Sequence, residues 1–144
     1  MNIEELICIA QKGAVNAFNS YGDVRPVLMA IEDGNFNITC VDMIDKDELS
    51  QFLQMLRIKG AQFVLVTEAW MVAVKALELE LALPVSKHPD REEVIYLHVY
   101  DPMKGDGYCK CTINDDGVNR CLNDWEEPVF IQMMGKLGNQ VSSN

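Results

Sequence analysis

The chain has 144 residues and a mass of 16.2 kDa, the size of one domain built around a single core. Apolar residues make up 49% and charged residues 24%, a composition that excludes intrinsic disorder, a collagen-like repeat and a disulfide-stapled miniprotein. Twelve bases against twenty-two acids leave a net charge of −10, spread evenly along the chain, which disfavours direct binding to nucleic acid or to an anionic membrane.

At the amino terminus, Glu4 and Glu5 stand where a secretion signal needs bases, and charges interrupt every apolar run before it reaches spanning length. A cytoplasmic location is therefore expected. In that compartment the five cysteines are expected to be thiols, with no disulfide framework. Ile3, Leu6, Ile7, Ala10, Ala14, Ala17 and Phe18 recur every three or four positions and predict a helix from about residue 3 to residue 19. Asn2 with Glu5 makes a capping box at its start, and Gly22 makes a stop. Asp33-Gly34 then predicts a two-residue hairpin in which Ile31, Met29 and Val27 oppose Phe36, Ile38 and Cys40, so that one face is wholly apolar. Asp45 and Glu48 open a second helix with Leu49, Phe52, Leu53 and Leu56 as its buried stripe and Gly60 as its end. Phe63 to Val66 is an unbroken apolar run, the pattern of a central strand covered on both faces.

Residues 71–83 pull two ways. Leu77, Leu79, Leu81 and Leu83 alternate like a strand, while the Ala, Leu, Glu and Lys content favours a helix, which is the expectation adopted. Pro84 to Pro89 predicts a loop. Val94 to Tyr100 predicts a strand with Ile95, Leu97 and Val99 on one side and Tyr96, His98 and Tyr100 on the other. Tyr108 to Ile113 and Val118 to Leu122 form a second hairpin, for which a three-residue loop pairs Asn114 with Val118 and sets Cys111 against Cys121. Val129 to Leu137 closes the fold as a strand or short helix, and residues 139–144 form a disordered tail. This order is α+β: a single domain over residues 1–138, with an antiparallel sheet and helices on one face. In element order alone it resembles the profilin-like and Roadblock folds, which host scaffolding and small-ligand sensing and so fix no single function.

Cys109, Cys111 and Cys121 offer only three sulfur ligands, one short of a structural zinc site unless His98 or His88 joins them. Buried apolar cysteines explain the same pattern, so no metal and no cofactor are expected. The acidic stretch from Glu32 to Glu48 lacks the ligand order and central glycine of a calcium loop.

Glu68-Ala69-Trp70 follows the buried strand, and Ser86-Lys87-His88-Pro89-Asp90-Arg91-Glu92 forms the loop before the next one. These two segments resemble a pattern in small uncharacterised proteins from bacteria and their phages. The resemblance implies a bacterial or phage setting and carries no function. Chemically, Glu68, Trp70, His88, Asp90 and Arg91 make a candidate ligand site if the chain between them folds back. Arg91 would clamp a carboxylate or phosphate, Trp70 would stack on a ring and His88 would titrate near neutral pH. The structural reading of the same residues is a turn cap, an ion pair and a core Trp.

No phosphate loop, nucleophile elbow or paired-histidine motif is present, and with two histidines the chain has little general-base capacity. The favoured expectation is a non-enzymatic binding or regulatory module that recognises a protein partner or a small anionic ligand. A small hydrolase or lyase, with Glu68 or Asp90 as base, His88 as acid and Arg91 steadying an anion, is the alternative. An acidic inhibitor that fills the basic groove of another protein, as in a phage setting, is the third.

Overall fold

A computed structural model of the protein describes residues 1–73, 87, 92–114, 117–121 and 131–135. Helix α1 runs Ile3–Tyr21, starts where the Asn2 side chain accepts from the Glu5 N–H, and stops at Gly22, which turns left-handed at φ 79°. Strands β1 (Val27–Glu32) and β2 (Asn35–Cys40) meet at Asp33 and Gly34, both with positive φ as a type I′ turn requires. Their pairing is the expected one, with Met29 opposite Ile38 and Ile31 opposite Phe36. Helix α2 (Lys46–Ile58) begins at Asp45, whose carboxylate accepts from the Glu48 N–H at 2.8 Å.

Strand β3 occupies Gln62–Ala73, β4 Glu92–Asp101, β5 Gly105–Asn114, β6 Gly117–Cys121 and β7 Ile131–Gly135. Among the described residues the sheet is antiparallel and follows the order β2-β1-β3-β4-β5-β6. Strand β3 is long enough to take two partners on one edge, β1 along Gln62–Val66 and β7 along Ala69–Ala73. It therefore sits at the centre, as its unbroken apolar run predicts.

The α+β class and the single antiparallel sheet match the expectation from sequence. The helices, however, lie on opposite faces. Ile3, Leu6, Ile7, Ala10 and Ala14 of α1 pack on Met29, Val64, Val66, Ile95 and Leu97, while Leu49, Leu53 and Leu56 of α2 pack on Leu28, Ala30 and Phe63. The reason is the continuous apolar run of β1 and β3: both faces need a cover, and one face cannot hold both helices and leave the other dry.

Three local expectations also change. Residues 71–73 extend β3 instead of starting a helix, because β7 and β4 both offer ladder partners there; residues 74–83 lie outside the described set. Phe52 is 36% exposed and not part of the α2 stripe. In the second hairpin Cys111 does face Cys121, but a register shift between Thr112 and Ile113 pairs Asn114 with Gly117 instead of Val118. The shift gives the loop two residues where three were expected.

The cysteines depart from the expectation as well. Cys8 and Cys40 are exposed thiols and Cys109 is a buried one, but Cys111 is disulfide-bonded. Antiparallel register brings directly opposed residues within the short separation a disulfide needs, so the geometry of the hairpin overrides the compartment argument.

Candidate functional site

The largest structural consequence of the small residues on α1 is a cleft. Ile3, Leu6 and Ile7 fill the space under the first turns of the helix, whereas from Ala10 onward it turns Ala10, Gly13, Ala14 and Ala17 toward the β1–β2 hairpin, leaving a hollow of about 560 Å³. The floor is Val27, Met29 and Val66 from the sheet, and Ile38 and Cys40 form the wall on the β2 side. Asp23, Val24 and Arg25 close the end nearest the carboxyl terminus of α1, with one acid and one base offsetting each other. A hollow of this size, mostly apolar with few polar groups, falls within the roughly 300–1,000 Å³ typical of small-ligand sites.

Strand β2 is exposed along its whole length. Ile38 keeps 57% of its surface in water and Phe36 keeps 38%, although both project from the apolar face of the hairpin. Covering what remains exposed of one such side chain would stabilise a complex by roughly 1 kcal/mol.

Glu68 is only 7% exposed, and its Oε1 accepts from the Val24 N–H at 2.6 Å. A carboxylate expected to meet ligand thus holds the wall of the cleft, fastening the segment after α1 to the central strand. Trp70 lies two residues further along the same face of β3, half-buried and opposite Glu93. Glu68 and Trp70 are therefore brought together, while His88, Asp90 and Arg91 lie outside the described residues.

The other face of the sheet carries a polar and aromatic cluster. Arg57, at the last turn of α2, donates from Nη2 to Asp106 Oδ1 at 2.8 Å, and His98 Nε2 lies 2.6 Å from the same oxygen. The Arg57 guanidinium stands 5.4 Å from the Phe63 ring centre and 5.5 Å from that of Tyr100, within cation–π range. Burial pushes the Asp106 carboxyl up, but hydrogen bonds and charge from Arg57 and His98 outweigh it and hold the group below its ordinary range. Tyr96 stacks on Tyr108 at 5.8 Å, and burial, with Tyr108, Asp106 and Cys109 nearby, pushes its hydroxyl up to about 12. Each member of the Arg57, Asp106 and His98 group is satisfied by another, so the cluster reads as a clamp between α2 and the β4–β5 hairpin.

The spacing of motifs singled out neither region. The cleft was nonetheless written in the pattern, because a stripe that changes from Ile and Leu to Ala and Gly cannot fill the space over an apolar hairpin. Among the described residues no group of three His, Cys, Asp or Glu gathers to hold a metal, and no helix is long and apolar enough to cross a membrane. No family model, curated protein or solved structure matches the chain.

Proposed function

We propose that the protein is a non-enzymatic binding module whose ligand enters the cleft between the second half of α1 and the β1–β2 hairpin. The observation that carries this reading is the cleft itself: about 560 Å³ of apolar hollow beside side chains that the fold leaves uncovered. The buried Glu68 carboxylate supports binding over hydrolysis, because it is committed to the Val24 N–H instead of being poised as a base. Trp70, with His88 and Arg91, forms a second recognition element on this reading. The acidic balance favours a partner other than nucleic acid.

Gly13 offers a direct test. It lines the cleft on the exposed side of α1, and a Cβ placed there meets nothing within 4 Å. Gly13→Leu should therefore project into the hollow while raising helix propensity by up to about 1 kcal/mol. Fluorescence titration with the neutral apolar dye N-phenyl-1-naphthylamine should show one saturable site, weakened about tenfold or more by Gly13→Leu and little by Gly13→Ala. Binding that ignores Gly13→Leu, or no binding at all, would remove the cleft from the reading.

A further inference from the structure

The occupant of the cleft can be argued from the backbone of its wall. In a type I′ hairpin the residues flanking the two-residue loop form a hydrogen-bonded pair, here Glu32 with Asn35, and bonded pairs then alternate along the ladder. The Val41 N–H bonds the Pro26 carbonyl at 3.1 Å, which extends the same phase past the far end of the strand. Asn35, Asn37 and Thr39 thus spend their N–H and C=O groups on β1. Phe36, Ile38 and Cys40 direct theirs outward, along a sheet edge that no described strand covers.

The same three residues turn their side chains to the cleft face. An added strand would hydrogen-bond to Phe36, Ile38 and Cys40 and lay its own alternate side chains over Ile38 and into the hollow. The edge also lacks the usual protection, since residues 35–40 contain no charge and no proline. Charge decides what the strand is. From Glu32 to Glu48 there are six acids and one base, Lys46. In an antiparallel pair of two copies, Asp33 of each would come beside Asp42 of the other, and like charges opposed across strands are destabilising. A segment with bases at its ends meets attraction instead.

We propose that β2 is a strand-addition edge for an extended segment of a partner protein, apolar at alternate positions and flanked by Lys or Arg. The proposal rests on the binding-module reading and gives its ligand a class.

The probe is a fluorescein-labelled ten-residue peptide, Lys-Lys-Val-Thr-Val-Thr-Val-Thr-Lys-Lys, followed by anisotropy. It should bind at one site, and versions with Glu in place of Lys, or with the three valine amides methylated, should bind about tenfold or more weakly. Ile38→Pro removes one outward N–H without touching a β1 bond, so it should weaken the peptide to a similar degree. Peptide methylation gives the same readout on unaltered protein should Ile38→Pro disturb the hairpin. Peptide binding indifferent to both changes overturns the proposal. So does an absence of peptide binding while the dye still enters, which leaves the binding module standing. If neither binds, both readings fall. A dimer in sedimentation that Ile38→Pro dissolves and the peptide does not would assign the edge to a second copy and overturn the partner segment.

Discussion

Strands β4 and β2 belong to one sheet and both alternate, yet Leu97 in the middle of β4 is fully buried while Ile38 in the middle of β2 keeps 57% of its surface in water. Alternation tells which side chains share a face. It does not tell whether anything covers that face. For β4 the cover exists, since Ile3, Leu6 and Ile7 reach the core that holds Ile95, Leu97 and Val99. For β2 the same helix offers alanine and glycine, and among the described residues no further strand lies beyond it. One end of the sheet is thus a finished core, and at the other the apolar side chains of β2 stay exposed.

The largest expected effect tests that contrast directly. Leu97→Ala should cost about 2–5 kcal/mol in urea unfolding, because the lost contacts and the residual cavity both count. Ile38→Thr, which also removes apolar surface from the middle of a strand, should stay within about 0.5 kcal/mol in the protein alone. Similar losses at both positions would mean that β2 is covered after all, and the comparison would break.

On the second face, the centre of the sheet should also reveal itself at high pH. Tyr96 is raised to about 12 chiefly by burial, while an unfolded tyrosine ionises near 10, so the fold favours the neutral hydroxyl. Its contribution is complete below about pH 10 and is lost as pH rises toward 12, a change on the order of 2 kcal/mol. Alkaline unfolding followed by circular dichroism should show this decline, and Tyr96→Phe should flatten it. A decline of equal size in Tyr96→Phe would assign it to other groups.

Much of this architecture was readable before any coordinates. Asn2, Asp45 and Asp33-Gly34 act through their own nearest backbone, and their helix starts and hairpin register stand as expected. The β4 alternation held for the same reason, since a period of two needs only local geometry. What failed depended on distant partners. Residues 71–73 became strand because β7 pairs there, and Cys111 is disulfide-bonded, which no local pattern announces. Glu68 carries a role in holding Val24 that no motif states, as the two residues are 44 apart in sequence.

The smallest effect belongs to the clamp of Arg57, His98 and Asp106, which joins α2 to the β4–β5 hairpin. The hydrogen bonds and charges of Arg57 and His98 hold the Asp106 carboxyl below its ordinary range against the opposing pull of burial. A lowered acid contributes stability that is present above the unfolded value near 4 and disappears as pH falls through the lower folded value. The Asp106 side chain is 40% exposed, so solvent screens the group and the contribution should be about 1 kcal/mol or less. Asp106→Asn should therefore unfold at slightly lower urea than the parent at pH 7, and the gap should close in acid as the parent carboxyl protonates. If the gap instead matched that of Leu97→Ala and persisted in acid, the clamp would be a part of the packed centre and not an exposed tie across its border.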